Sequence, residues 1–447
     1  MRRKPLFPPP QQASGARQQN KGRQPYSVLT INGRIHLRRT RWHDPAGGSC
    51  APTDAWIDAA EATFSEGVRE MCCRINQSST SFDKAAANLQ RTAHVEISSE
   101  TLRQLIEAEG RRVQQMFQQG KLSPGFTAAD CTVKVEAVSD AASAAVHEAA
   151  PAGEVTRVYL GCDGVKVPIV TDEEKKKRRA AIRRKRQRQG RKASPLPRPK
   201  VGADCAYKEF RVVHFYDQEL QHRFVQATSG DHEVTGRLMR RMAVQIDLPA
   251  ALEKIALIDG APWIRNQIEL HGAIRDIGLD PYHLRDYAQK TRRAVFGSPP
   301  EENPDDAAGS NRGTSPAATP TKAPDEGQQW LDGVMHRFHH DGYNAAWEHL
   351  TDWRATLHKA AHKTAANRLL NYVAERQPLI RYPEFRARGW CIGSGPTEAE
   401  CKTTTHCIKG RGRRWDQDHA EAMMALACLD DSRLWHNYWP TLDPERN

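Results

Sequence analysis

The stretch from Val155 to Pro168, which reads VTRVYLGCDGVKVP, opens the part of the chain whose element order decides the fold. Its first half, Val155 to Gly161, is mostly apolar and β-branched, a pattern that predicts a strand. Asp163 follows this strand directly. The sequence therefore predicts a carboxylate at the edge of an ordered element.

The segments that follow predict a mixed α/β core. We expect strands at Tyr207 to Tyr216, His222 to Ala227, Lys254 to Ile258 and Ala273 to Leu279, and helices at Glu233 to Ile246 and Pro262 to Leu270. Three strands, a helix and a strand that ends in an acidic residue, Asp259, form the order of a ribonuclease H-like fold. A parallel Rossmann domain would alternate strand and helix from its beginning, and no Gly-rich phosphate loop follows the first strand.

Composition predicts how the rest of the chain is organised. Residues 1–26 are rich in Gln, Pro, Arg and Lys and predict a disordered basic tail. Residues 27–136 predict a mainly α N-terminal domain that opens with a β-hairpin turning at Asn32 and Gly33. Such a domain could hold a DNA-binding helix-turn-helix, although any two packed helices joined by a turn give the same pattern. Residues 137–153 predict a linker.

The catalytic core is expected in two parts, residues 154–281 and residues 391–447. Between them, residues 282–390 predict a helical insertion with a flexible, Pro- and Gly-rich loop at 298–327. A second, basic insertion covers residues 171–206.

The net charge of +12 on 447 residues favours a polyanionic partner, for which DNA is the simplest choice. Between Thr171 and Lys200 there are 14 Lys and Arg and 3 acidic residues, a net charge of +11, so the basic character is local. Contacts from such a segment to phosphates give an affinity that does not depend on the DNA sequence and falls as the salt concentration rises. Alternatively, the basic segment is a solvated loop with no partner. The expected DNA contacts are Lys175, Lys176, Lys177, Arg178, Arg179, Arg183, Arg184, Lys185, Arg186, Lys402, Lys409, Arg411, Arg413 and Arg414.

Other features predict a soluble cytoplasmic protein associated with the nucleoid. No stretch has the apolar length of a membrane span, and the N-terminal residues lack an apolar export segment. Ten dispersed cysteines in a long chain predict reduced thiols. Cys401 and Cys407 lack zinc-like spacing, and His43 and Cys50 alone do not predict a zinc site.

Three carboxylates carry the chemistry that the sequence predicts. Asp163 and Asp259 follow strands, and Glu398 lies in the first turn of a predicted helix that has Pro396 near its start. Two strand-end aspartates and a helix-borne glutamate can converge on a pair of divalent cations, and hard oxygen ligands suit Mg²⁺ or Mn²⁺. Taken singly, each acid would be a solvated surface carboxylate.

As an ordered set, these motifs resemble those of DDE transposases of bacterial insertion sequences, specifically the Kra group. The matching residues are Asp163-Gly164, Asp259-Gly260-Ala261-Pro262-Trp263-Ile264 and Gly393-Ser394-Gly395-Pro396-Thr397-Glu398. Asp280-Pro281-Tyr282-His283 is similar to the Cys/Asp-x-x-His signature that follows the fifth strand in Mutator-like transposases. The resemblance covers about Val28 to Trp439.

The resemblance implies a transposase that binds terminal inverted repeats and target DNA and catalyses metal-dependent strand cleavage and strand transfer. Asp163, Asp259 and Glu398 would be catalytic and would hold two Mg²⁺ or Mn²⁺ ions, and the protein would self-associate on DNA. Asp280, His283 and Glu400 are candidate supporting residues. His283 could orient a metal-bound carboxylate, contact the scissile phosphate or be simply a polar residue that follows the fifth strand, and a structural role is favoured for Asp280. Glu400 lies about 200° from Glu398 around a helix, so Glu398 is preferred. The alternatives are a catalytically inactive, transposase-derived DNA-binding protein and a ribonuclease H-like structure-specific nuclease.

Overall fold

A computed structural model of the chain describes residues 19–44, 48–51, 63–135, 153–190, 202–271, 274–297, 326–410 and 412–440. Residues 137–152 of the predicted linker and nearly all of the predicted flexible loop lie outside these residues, as do residues 1–18 and Arg411, whereas Gly153 begins a strand. Among the described helices, none is both long enough and apolar enough to cross a membrane.

An antiparallel three-stranded sheet begins the described chain. It comprises β1 (Gln19–Thr30), β2 (Gly33–Asp44) and β3 (Gly48–Cys50), with Thr30 facing Gly33 across the predicted turn. The tail was predicted to extend to residue 26, but residues 19–26 belong to β1. They form a strand because their backbone pairs with β2, as Gln24 does with Arg39, and composition does not report this pairing.

Three helices follow: α1 (Glu66–Gln77), α2 (Phe82–Ala93) and α3 (Ser99–Gln118). Each begins after a serine whose side chain accepts a hydrogen bond from a first-turn amide, the usual start of a helix. The longest, α3, packs closely on a late helix, α13 (Gln417–Asp431), because Gly110 has no side chain to strike the backbone of Ala422. The N-terminal helices therefore share a hydrophobic core with the rest of the protein.

The central sheet is mixed and has helices packed against it. Its strands are β4 (Thr132–Val135), β5 (Gly153–Pro168), β6 (Tyr207–Tyr216), β7 (Arg223–Thr228), β8 (Glu253–Ile258) and β9 (Asp276–Leu279). The order across the sheet is β7-β6-β5-β8-β9, with β4 paired to the start of β5. The pairs β7-β6 and β6-β5 are antiparallel, whereas β5-β8 and β8-β9 are parallel.

The predicted order of strands and helices in this part of the chain is confirmed. Helix α5 (His232–Gln245) precedes β8, and α6 (Pro262–His271) lies between β8 and β9. One position differs from the prediction: Asp163 lies inside β5, which continues to Pro168. The strand continues because Val165 and Val167 are buried and pair with β6 beyond the end of β8.

The remaining elements are helical in the described residues. The basic insertion forms α4 (Asp172–Arg188), and the helical insertion contains α7 (Pro281–Phe296), α8 (Glu326–His340), α9 (Gly342–Thr356), α10 (Ala360–Glu375) and α11 (Tyr382–Ala387). The chain then returns to the sheet as α12 (Gly395–Thr405), followed by α13 and α14 (Trp435–Tyr438).

Candidate active site

Asp163 and Asp259 lie side by side at one edge of the parallel part of the sheet. Cys162 of β5 pairs in register with Ile258, the last residue of β8, so Asp163 is the next residue of β5 and Asp259 directly follows β8 beside it. Neighbouring strands are about 4.8 Å apart, which brings the two side chains within reach of one ligand. The Gly164 amide donates to Asp163 Oδ1 at 2.6 Å, and the Ala261 amide donates to Asp259 Oδ1 at 2.8 Å.

The environment of Asp163 disfavours its charge. Burial raises the pKa of this carboxyl above its ordinary value, and the nearby negative charge of Asp259 raises the pKa further. The Gly164 amide and the charge of His283 act in the opposite direction. The two aspartates therefore interact electrostatically, and a cation placed between them would relieve the repulsion.

Glu398 reaches the same region on α12, where it occupies the first turn and is half-buried. Helix α12 crosses β5 at Gly161, and a Cβ atom at Gly161 would lie only 1.7 Å from Thr397 Oγ1. The absence of a side chain at this glycine lets the helix approach the strand. The residue that precedes Glu398 is thus packed onto the strand that carries Asp163.

The thiol of Cys401 also belongs to this site, although its spacing predicted an ordinary thiol. It lies one turn after Glu398, is buried, and has its pKa raised by burial and then by the charge of Asp163. Glu398 contributes in the same direction. The sequence does contain a signal for this position, because Cys401 follows Glu398 by three residues and such an interval places two side chains on one face of a helix.

Asp280 connects the strand β9 to the helix that carries Glu398. It is 3% exposed, and its Oδ1 accepts the Tyr282 amide at 2.6 Å, which caps α7. Its Oδ2 accepts both the amide, at 2.7 Å, and the hydroxyl of Ser394, the residue before α12. Asp280 is therefore placed to fix the positions of α7 and α12, and His283 follows in the first turn of α7.

Glu400 points away from the aspartate pair. It is buried, and its Oε1 forms an ion pair with Arg223 Nη1 at 3.1 Å. Its Oε2 and Asp431 Oδ2 are both buried without a hydrogen-bond donor among the described residues. Burial raises the pKa of Asp431 to about 8, and the charge of Glu400 adds to the effect. Asp431 thus stays protonated near neutral pH and can donate to Glu400.

The donor set has the chemistry of a site for hard divalent cations. Asp163 and Asp259 offer carboxylate oxygens, and Glu398 offers a third on the helix packed against β5. Within the described ranges, however, no group of three or more His, Cys, Asp and Glu side chains is close enough to hold a metal ion. The aspartate pair is the part of the predicted site that the fold brings together most directly.

The predicted DNA contacts that the structure describes lie on α4, on α12 and in the segment between α12 and α13. None of the residues of α4 is buried, and most of its basic side chains are exposed, as are Lys402 of α12 and Lys409 after it. Other cations form intramolecular contacts: Lys175 pairs with Asp416 at 2.7 Å, Arg414 with Glu174, and Arg413 donates to the Cys407 carbonyl. Lys175, Arg178, Arg179, Arg413 and Arg414 line a cleft of about 870 Å³ beside Phe82 of α2 and Trp415.

No protein-family model matches the sequence, and no curated protein sequence is detectably similar to it. Among solved structures, the Drosophila P element transposase strand transfer complex is similar over 83% of this chain and 80% of that chain, with 10% sequence identity and a TM-score of 0.27. A similarity at this level carries no argument about function.

Proposed function

We propose that this protein is a transposase of a bacterial insertion sequence, which binds element-end DNA and catalyses metal-dependent strand cleavage and strand transfer. The observation that carries the proposal is the register of β5 and β8, which puts Asp163 beside Asp259. The strand order β7-β6-β5-β8-β9, in which β6 is antiparallel to β5, supports a ribonuclease H-like core.

The site residues have different roles in the proposed reaction. Asp163, Asp259 and Glu398 would hold Mg²⁺ or Mn²⁺, which activates the attacking hydroxyl or water and stabilises the departing oxygen at phosphorus. The repulsion between Asp163 and Asp259 favours cation binding. His283 would support the Asp163 carboxylate, since its charge lowers the pKa of Asp163. Asp280 holds α7 and α12 in position.

The exposed basic face of α4 supports the DNA-binding part of the proposal. Exposed cations occur all around this helix, at Lys176, Lys177, Arg178, Arg183, Arg184 and Lys185, and four of them, Lys176, Lys177, Arg183 and Arg184, share one face. Replacing Lys176, Lys177, Arg183 and Arg184 with Gln should weaken DNA binding independently of sequence. It should also reduce the slope of log affinity against log salt by up to about one for each phosphate that the variant no longer neutralises. Equilibrium binding of a labelled duplex at several salt concentrations measures both effects.

The test of catalysis uses end-labelled duplexes that carry the DNA flanking the gene, incubated with Mg²⁺ or Mn²⁺. We expect nicking and joining by the wild-type protein, and neither by Asp163→Asn or Asp259→Asn, both of which should still bind the duplex. Asp286→Asn is the matched control, since Asp286 is an exposed acid on α7 paired with Lys290. Unchanged cleavage by the two aspartate variants would refute the proposal.

The same assay separates the alternatives. Binding of the flanking DNA without cleavage, by wild type and variants alike, would identify a DNA-binding protein derived from a transposase. Cleavage of branched or hybrid substrates irrespective of flanking sequence would instead identify a structure-specific nuclease. Self-association on DNA is expected for a transposase, and measuring the mass of the protein–DNA complex tests it.

A further inference from the structure

The end of α10 reaches the turn that carries Asp259. Gly260, the next residue, has φ of +82°, and a Cβ atom there would lie 2.8 Å from Arg376 Nε and 3.0 Å from Arg376 Cδ. Arg376, which directly follows α10, therefore packs on the backbone of the carboxylate site. A cation from the helical insertion is thus placed beside the aspartate pair.

One donor of this guanidinium has no hydrogen-bond acceptor among the described residues. The two hydrogen bonds of Arg376 both leave from Nη1, one to the Tyr372 carbonyl at 3.3 Å and one to Glu375 Oε2 at 3.1 Å. Its Nε is buried and donates to no group in the described part of the chain. This unpartnered Nε is also the atom that packs on Gly260.

A second unpartnered donor lies next to it. Tyr372 is one turn earlier on α10 and 6% exposed, and its hydroxyl is buried without a hydrogen-bond partner among the described residues. Burial raises the pKa of this tyrosine, and the charges of Asp259 and Asp280 raise it further, so the ring lies close to the site. The ring is held between Arg376, whose Cζ is 4.0 Å from its centroid, and the stacked ring of Tyr287 at 3.7 Å.

Two buried donors without acceptors are costly to keep unless a ligand supplies the acceptors. We propose that Arg376 and Tyr372 bind a phosphodiester group of the DNA substrate opposite Asp163 and Asp259; this rests on the proposed function and extends it. A guanidinium is always charged and can donate several hydrogen bonds to the non-bridging oxygens of a phosphate. The fixed positive charge then offsets the negative charge that develops at phosphorus during strand cleavage.

The proposal gives the helical insertion a role. It predicts that α10 contributes binding and charge stabilisation, while the sheet contributes the carboxylates. Helix α10 packs on α7, and Asp280 caps the N-terminus of α7. The contact between these helices links the position of Arg376 to that of Asp280.

Binding is tested first, in an Asp163→Asn background that keeps the DNA intact. Kd for a labelled duplex is measured over a range of salt concentrations for Arg376→Ala, Arg376→Lys and Tyr372→Phe. Arg368→Ala is the control, because Arg368 lies exposed on the same helix and gives the same charge change. We expect Arg376→Ala to lower the salt slope by about one and Arg368→Ala to leave the slope unchanged. Equal slopes for the two variants would overturn the proposal.

Cleavage is tested second, in otherwise wild-type protein under single-turnover conditions. We expect Arg376→Ala to lower the rate about 100-fold, Arg376→Lys to recover part of it, and Tyr372→Phe to lower it less. A neutral methylphosphonate at the cleaved position removes charge that the metal ions also neutralise, so it should slow both proteins, but it should slow Arg376→Ala by a smaller factor than the wild type. Equal factors for the two proteins would show that Arg376 acts elsewhere and would contradict the proposal. Tyr372→Phe keeps the ring stack, so it remains informative even where Arg376→Ala folds poorly.

The two proposals can fail separately. Wild-type protein that binds DNA without cleaving it refutes the catalytic proposal, and the salt slopes still decide whether Arg376 binds a phosphate. Wild-type protein that binds no DNA refutes both proposals.

Discussion

The Asp280 carboxylate accepts hydrogen bonds from both the amide and the hydroxyl of Ser394, 114 positions further along the chain. Its other oxygen caps α7 through the Tyr282 amide. Since Ser394 immediately precedes the helix that carries Glu398, one buried carboxylate sets the relative positions of two helices at the candidate active site. This geometry gives Asp280 the role of positioning these two helices, and not of contacting the substrate.

Asp280→Asn should therefore destabilise the fold and slow cleavage. The introduced amide group would face the Ser394 donors instead of accepting from them, at a cost of about 1–3 kcal/mol in the free energy of unfolding. Ser394→Ala should lower the free energy of unfolding by less, because the hydrogen bond from the Ser394 backbone amide to Asp280 remains. The double variant should lose less than the sum of the two single losses. Chemical denaturation measures these values, with Asp286→Asn as the exposed control. Additive effects would show that the two residues are not coupled.

The two glutamates of α12 should respond in opposite ways to the same substitution. Glu398→Gln should leave stability nearly unchanged and lower cleavage by at least about 100-fold, since even groups that only support a metal ligand contribute 10–100-fold. Glu400→Gln should lower the free energy of unfolding by roughly 1–3 kcal/mol, because Arg223 loses its carboxylate partner, while cleavage below the unfolding temperature persists. Denaturation and cleavage assays on both variants decide the assignment. Loss of chemistry in Glu400→Gln alone would reverse it.

The buried Asp431 predicts a pH dependence of stability. Its pKa is raised from 3.8 to about 8, first by burial and then by the charge of Glu400. Between these values the folded protein holds a proton that the unfolded chain releases, so the free energy of unfolding should fall as pH rises from about 4 to about 8. Asp431→Asn stays neutral and should remove this fall.

Comparison of the two proteins isolates the contribution of Asp431, because other groups with shifted pKa values are common to both. Burial lowers the pKa of His214 to about 3, for example, and the resulting pH dependence of stability is present in wild type and Asp431→Asn alike. Thermal unfolding of wild type and Asp431→Asn at several pH values measures the difference. Parallel curves for the two proteins would contradict the assignment of the proton to Asp431.

Gly161→Ala should disturb the docking of α12 on β5. The new methyl group would overlap the Thr397 side chain, 1.7 Å from its Oγ1, so the helix must move. We expect a loss on the order of 1–3 kcal/mol in stability and a lower rate of cleavage. Gly125→Ala is the control, because nothing lies within 4 Å of a Cβ atom at that position. Similar stability of the two variants would show that Gly161 is not needed for the approach.

Much of the central sheet was predictable from local patterns. Alternating and continuous apolar runs identified β6, β7, β8 and β9 within a few residues, because such runs report burial of a strand. The short strand β4 was not predicted, since four residues carry too weak a pattern. The length of β5 was also underestimated, because its second half depends on pairing with β6.

The sequence by itself determined the order of the elements, the local concentration of positive charge and the three candidate carboxylates. These are properties of residues close together in the sequence. The side-chain repeats of strands, 2 residues, and of helices, 3.6 residues, allow the elements to be identified from the sequence. Only the tertiary structure decided that Glu400 belongs to a buried ion pair, that Asp280 holds Ser394, and that Arg376 lies on Gly260. These contacts join residues far apart in the chain, and their geometry comes from packing that no local pattern encodes.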